Sequence, residues 1–117
     1  KTLSFRSENG CILVVTAGDS KVDNSKFKRQ FGFKAKMLPP DEVLRLTGHA
    51  VGGVCPFAIS HPDVKTYVDI SIKRFITVFP ACGSSNSAIE LTSDELYRYS
   101  QSETWVDVCK NPEPSAP

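Results

Sequence analysis

The sequence is short of the residues around which many active sites are built. It holds two histidines, His49 and His61, one methionine and one tryptophan in 117 residues. Two imidazoles leave few ways to assemble a Ser/His/Asp triad, and neither histidine has an evident partner in the sequence. There is no G-x-S-x-G elbow, no P-loop and no H-E-x-x-H helix, so the signatures of α/β-hydrolases, phosphate-loop proteins and zinc proteases are missing. The four cysteines, Cys11, Cys55, Cys82 and Cys109, are widely spaced, with no C-x-x-C pair and no Cys/His spacing suited to zinc, so no metal or other cofactor is expected. They read as reduced thiols of a cytoplasmic protein rather than as a disulfide framework. No secretory leader and no apolar run of membrane-spanning length is visible, which argues against a membrane partner. Charge of one sign is lacking too. Fourteen Lys and Arg stand against thirteen Asp and Glu, a net charge of +1, so any attraction to nucleic acid has to come from a local patch.

What is present suits one compact domain. Hydrophobic residues make up 40% and charged residues 23%, as in globular chains of this length. "KTLSFR" and "CILVVTA" are β-rich runs on either side of "SENG", whose Asn9-Gly10 pair signals a hairpin. The nearly all-apolar second run belongs at the centre of a sheet. Asp23, Asn24 or Ser25 can cap a short helix through "KFKRQF", which Gly32 ends. Pro40 and Asp41 open a second helix that closes at Gly48. "KTYVDISI", "FITVFPA" and "SAIELT" read as strands, and Thr92 with Glu95 has capping-box spacing for a helix over 93–99. "TWVDVC" supplies a last strand. The expected domain covers 1–110, and the proline-rich 111–117 is expected to be a mobile tail. This order lacks regular βαβ alternation and predicts a mixed α/β fold, with a curved, largely antiparallel sheet and flanking helices.

The densest cluster of backbone freedom is "TGHAVGGVCPF" at 47–57. Glycine lets a ligand approach the main chain, and Pro56 stiffens the far end. Such a stretch is either a plain helix-to-strand loop or a pocket wall of peptide N–H groups. A second small-residue loop runs Gly83-Ser84-Ser85-Asn86-Ser87. Between the first two strands and the first loop, Lys21, Lys26, Lys28, Arg29, Lys34 and Lys36 crowd the span 21–36, with Asp23 the only acid. Phe27, Phe31 and Phe33 lie between those charges and read as core rather than as a stacking platform.

"KTL" at 1–3, "KVDNSKFKRQFG" at 21–32, "TGHAVGGVCPF" at 47–57 and "AIELTSDEL" at 88–96 occur in an order that resembles the YbaK/prolyl-tRNA-synthetase-associated domain. This is a family of trans-acting aminoacyl-tRNA deacylases and editing domains. The resemblance implies a mixed-sheet α/β domain partly closed into a barrel. It also implies hydrolysis of the ester between a small, wrongly attached amino acid and a tRNA, such as tRNA for proline, with no metal and no cofactor. Aminoacyl-tRNA is the implied partner, with an aminoacyl-tRNA synthetase as a further one. Domains of this family carry several dozen residues before the "KTL" strand, so a preceding N-terminal segment is expected.

By the same resemblance Lys1 anchors the charged tRNA end, and the amides of Gly52 and Gly53 stabilise the carbonyl as water attacks. Thr47, Gly48, His49, Val54, Cys55, Pro56, Gly83 and Ser84 border the amino-acid pocket. Lys21, Lys26, Lys28 and Arg29 follow the tRNA phosphates. Ala88 stands where some relatives carry aspartate, which puts a cysteine-type specificity in doubt. Glu90 reads as a structural partner and His61 as surface. Two rivals stay open: a non-catalytic tRNA- or nucleotide-binding module of the same fold, and a thiol hydrolase using Cys55.

Overall fold

The computed structural model describes residues 1–110 except 51–52, 58, 60 and 84–86. The expected tail at 111–117 therefore lies outside the described residues. Strand β1 (Thr2–Arg6) turns back into β2 (Cys11–Val15), with Arg6 facing Cys11 and Thr2 facing Val15. The hairpin predicted from Asn9-Gly10 is present, but its glycine serves another purpose. Gly10 does not adopt positive φ. A Cβ built on it would lie 2.3 Å from the carbonyl oxygen of Asp63, the atom that accepts the Cys11 amide at 3.0 Å. Close backbone approach, not turn conformation, demands glycine here.

Beyond β2 come β3 (Lys21–Val22), helix α1 (Asn24–Phe31) and helix α2 (Pro40–Thr47). Asp23 caps α1 by accepting the amides of Ser25 and Lys26 at 2.9 and 3.0 Å. Gly32 and Gly48 end the two helices at φ 83° and 76°, the left-handed geometry that favours glycine. Strand β4 (Val64–Asp69) then pairs with β2, and a 3₁₀ turn (Ile70–Arg74) follows it. Two short strands, β5 (Thr77–Val78) and β6 (Leu91–Thr92), form a separate pair. Helix α3 (Ser93–Tyr99) begins at the predicted capping box, with Thr92 and Glu95 bonded reciprocally. The chain ends in β7 (Trp105–Val106) and β8 (Cys109–Lys110).

The fold is mixed α/β, as expected, but the main sheet corrects the expectation of a largely antiparallel one. Its order is β1-β2-β4-β7, and β2 runs parallel to β4 and β4 parallel to β7. The reason is topological. The segment between β2 and β4 carries both helices, a crossover long enough to return the chain to the same end of the sheet. Nor does the sheet close: among the described residues no barrel forms, and β1 and β7 stand at its edges. The outer edge of β1 is partly covered by an extended segment, through Arg6 N–H to Lys36 and Leu38 N–H to Ser4.

Several of the predicted strands are also shorter than expected, "SAIELT" keeping only Leu91–Thr92. "KTYVDISI" stops at Asp69, because its carboxylate accepts the Ser71 amide at 2.9 Å and starts the 3₁₀ turn. "FITVFPA" keeps only Thr77–Val78 as strand. "TWVDVC" divides between two sheets, β7 joining β4 and β8 joining β3.

All five residues of β2 are buried. Ile12 and Val14 join Phe5, Phe27, Val106 and Val108 on one face, while Leu13 meets Leu38, Val43, Leu46 and Val54 on the other. Alternation along a strand with both faces covered produces this division. Phe27 is fully buried, with Phe5 and Phe31 rings at 4.8 and 4.7 Å, pairs that contribute about 1 kcal/mol each beyond their area. Among the described residues, no helix is long and apolar enough to cross a membrane.

Candidate functional site

Two groups of the predicted residues meet on neighbouring parts of the fold. Lys1 extends the β1–β2 ladder, its carbonyl accepting the Thr16 amide at 2.8 Å. It contributes to a cleft of about 350 Å³ whose floor is Val15, Ile72 and Leu96. Thr16, Ala17 and Gly18 form one wall, and Thr77 to Pro80 form the other. Lys1 is exposed, so its ammonium stands at a mostly apolar opening.

The second group gathers at the C-terminus of α2. Thr47 donates its hydroxyl to the Val43 carbonyl at 2.7 Å and accepts the His49 amide at 3.1 Å. That pair of bonds holds His49 just past the Gly48 cap. His49 Nε2 lies 3.5 Å from Cys55 Sγ, and a Cβ on Gly83 would sit 3.7 Å from the imidazole. His49 therefore stands between Cys55 and Gly83. The wall of the Lys1 cleft at Thr77–Pro80 continues to Gly83 within three residues, so one segment borders both groups.

The amides of the first loop are divided. Gly52 and Ser84 lie outside the described residues. Gly53 donates its N–H to the Ala50 carbonyl at 2.9 Å, closing a tight turn. In this structure the Gly53 amide is therefore engaged within its own loop. The next two residues, Val54 and Cys55, are 7% and 4% exposed, and their main-chain N–H groups donate to no acceptor among the described residues. Buried, unpaired amides are rare and mark places where a further acceptor fits. Pro56 is fully buried behind them. Val54 packs on Leu13 and Leu46, which anchors the loop to the sheet.

The basic span is only partly free. Lys26 Nζ is bonded to Asp107 at 3.0 Å and to the Cys109 carbonyl at 3.1 Å, and the Asp107 bond pushes its pKa up. Lys26 thus ties α1 to the last strands. Lys21, Lys28 and Arg29 are exposed and have no ion pair among the described residues. Glu90 accepts the Thr77 hydroxyl at 2.9 Å, the structural role assigned to it. His61 is half-buried, its Nδ1 accepting the Asp63 amide at 3.1 Å. Phe27 is core, but Phe31 and Phe33 are only half-buried.

A buried polar centre supports the cleft, and the sequence reading missed it. Asp69, 1% exposed, accepts the Ser71 and Val108 amides, and Ser71 Oγ accepts the Ala17 amide at 3.1 Å. These bonds hold the Ala17–Gly18 wall. Nothing in "YVDIS" as a string separates this aspartate from a surface one. Beside it, burial first and the Asp69 charge second push the Cys109 thiol up to about 12. Burial also raises Cys11 to about 11. All four cysteines are free. Among the described residues no group of three or more His, Cys, Asp or Glu converges to hold a metal ion.

Comparison with known proteins places this geometry in context. The chain is 61% identical over 112 residues to the uncharacterized protein YwhH of Bacillus subtilis (strain 168), covering 95% of this chain and 71% of that protein. Its fold superposes with a TM-score of 0.84 on a protein described as a candidate trans-editing enzyme for prolyl-tRNA synthetase, at 29% identity, over 95% of this chain and 69% of the other. A hypothetical protein, APE2540, matches with a TM-score of 0.80 at 29% identity, over 94% and 73%. Residues 1–99 match the family model of the aminoacyl-tRNA editing domain. With that match spanning most of the sequence, the chain belongs to the aminoacyl-tRNA editing domain family.

Proposed function

We propose that this protein is a trans-acting editing hydrolase that removes a small amino acid from mischarged tRNA, tRNA for proline being the first to test. The observation that carries the reading is the pair of buried amides at Val54 and Cys55. They supply two N–H donors in the loop where Cys55 meets His49, and Lys1 lines a separate cleft. Water adds to the ester carbonyl, and the oxygen gaining negative charge accepts hydrogen bonds from these amides, which are preorganised by the Gly53 turn and by Pro56. The ester C–O bond then breaks, and the ribose oxygen leaves with a proton, assisted by the neighbouring 2′-hydroxyl. Lys1 offsets the terminal phosphate, while Lys21, Lys28 and Arg29 meet phosphates further along the tRNA.

Thr47, Gly48, His49 and Gly83 border the amino-acid side of the site. A pocket of limited size matters because direct binding discriminates poorly among small apolar side chains, so accuracy requires a second, hydrolytic sieve. No step in this scheme needs a metal, and the reaction belongs in the cytoplasm, where charged tRNA and its synthetases are found. The test is ester loss from tRNA for proline charged separately with alanine, cysteine, serine or proline. If none is hydrolysed faster than in buffer while the tRNA still binds in a salt-dependent way, the protein is a binding module.

The 3.5 Å approach of His49 to Cys55 favours a second route, in which the thiol adds to the carbonyl and a thioester precedes hydrolysis. Acid quenching during turnover, followed by intact mass measurement, decides between them. An aminoacyl adduct lost in Cys55→Ser supports the thiol route, and unmodified protein at full turnover excludes it.

A further inference from the structure

The surface around the C-terminal half of α1 carries three adjoining clefts that the deacylation site does not use. The central one, about 430 Å³, is walled by Phe31, Phe33 and Tyr67, with Gln30 and Lys65 at its rim. Gln30 also borders a second cleft of about 330 Å³ with Arg29. Phe31 and Phe33 border a third, of about 470 Å³, together with Lys34 and Lys36. Shared walls make the three one continuous trough. Half-buried aromatic rings lie at its centre and cations at both ends.

We propose that this trough binds an unpaired RNA strand, its bases against Phe31 and Phe33 and its phosphates on Arg29, Lys34 and Lys36. The inference deepens the tRNA reading above and rests on it for the kind of nucleic acid. The ring geometry suits the role. Phe31 is braced by Phe27 at 4.7 Å and by Tyr67 edge-on at 5.0 Å, so the platform is held rigid from behind. Phe33 is fixed edge-on by Phe27 at 5.9 Å. Rigid aromatic faces beside a basic track are what sequence-tolerant single-strand binding requires. Arg29, Lys34, Lys36 and Lys65 are exposed and have no ion pair among the described residues, so their charge is available. Glu8 and Asp63 line the hairpin side of the central cleft, Glu8 also borders the Lys34/Lys36 cleft and Asp107 the Arg29 cleft, so the phosphates are confined to the cations themselves. Duplex RNA does not fit this scheme, because its stacked bases present no free faces to the rings.

The trough lies away from the Lys1 cleft. It touches β2 at Cys11 and Ile12, whereas the Lys1 cleft touches Val15 at the other end. The strand rise puts these ends roughly 13 Å apart, so the two sites can be disabled separately.

The test is fluorescence anisotropy with a labelled oligoadenylate octamer and with duplex RNA of the same length, across a salt series. The octamer is expected to bind more tightly than the duplex. Phe33→Ala should weaken octamer binding by about 5- to 100-fold. Phe33→Leu, which fills the space without a π-face, should also bind more weakly while keeping the wild-type melting temperature. Lys34→Ala with Lys36→Ala should reduce the slope of log K against log salt by roughly 1.4, two phosphates at ~0.7 each. Arg45→Ala, an exposed cation on α2, should change nothing. A folded Phe33→Leu variant with wild-type affinity, an unchanged salt slope, or a duplex bound as tightly as the octamer overturns the proposal. Deacylation without octamer binding removes the trough and leaves the hydrolase reading standing. Octamer binding without deacylation does the reverse.

Discussion

Asp69, at the end of β4, accepts the main-chain N–H of Val108 at 2.8 Å across a sequence separation of 39. Its other oxygen takes the Ser71 amide at 2.9 Å. One carboxylate thereby ends a strand, starts a 3₁₀ turn and fixes the crossing from β7 to β8. Hydrogen bonds to a charged group contribute about 1.5–3 kcal/mol each, and leaving buried amides unpaired carries a further cost. Asp69→Ala is therefore expected to destabilise the protein by about 3–5 kcal/mol, measured by urea unfolding. Asp69→Asn should lose less, since one oxygen remains to accept. Equal stability for the alanine variant would show that solvent replaces the carboxylate.

Lys1→Ala tests the cation at the cleft. If the ammonium contacts the phosphate of the charged tRNA end, kcat/KM for deacylation should fall by about 10- to 100-fold, the loss of one charge-assisted hydrogen bond. Lys1→Arg should retain much of the activity, and far-UV circular dichroism should be unchanged for both. Full turnover by the alanine variant would remove the lysine from the mechanism and leave the amide pair untouched.

Gly10→Ala is expected to cost about 1–3 kcal/mol or more, the range for overpacking. The new methyl would meet the Asp63 backbone at 2.3 Å, and backbone cannot swing aside as a flexible side chain can. The hairpin and β4 would have to separate at their start. A melting temperature equal to wild type would show that the two backbones are less closely apposed.

The thiols should divide by burial. Cys82 is exposed, and Cys11 and Cys109 are buried, with pKa values raised to about 11 and about 12. At pH 8, Ellman's reagent should modify Cys82 quickly and spare Cys11 and Cys109 until the protein unfolds. Because the unfolded chain ionises these thiols near 9.0 and the folded chain holds their protons longer, stability should fall as pH rises above 9. Fast modification of all four thiols in folded protein would contradict this burial.

Three carboxylates, Asp19 exposed and Asp23 and Glu95 half-buried, set the acid limb. Asp19 is held below its usual range by its hydrogen bond to Arg74, Asp23 by the Lys26 and Ser25 amides, and Glu95 by the Thr92 amide and hydroxyl. Each depressed value favours the folded state above the unfolded values of 3.8 for Asp and 4.5 for Glu. That contribution is lost as pH falls below them through the folded values. Urea midpoints measured between pH 6 and pH 2.5 should drop below about pH 4.5, and Thr92→Ala should flatten part of the drop.

Local features of this protein were legible in its sequence because their physics is local. The Asp23 cap, the glycine ends at Gly32 and Gly48, and the Thr92–Glu95 capping box each involve residues a few positions apart, so spacing alone identifies them. The ordered motifs that mark the family are likewise strings. Tertiary structure decided which strand β2 pairs with, because parallel pairing depends on where a long crossover returns. It decided that Gly10 is needed for the Asp63 backbone rather than for the turn, and that the Gly53 amide is already used by Ala50. It also drew Lys26 away to Asp107, brought His49 to Cys55, and left the rings of Phe31 and Phe33 at a surface. Most of these depend on distances between segments far apart in the chain. The Gly53–Ala50 and His49–Cys55 contacts span only three and six positions, but they follow from a loop conformation that residue order does not encode either.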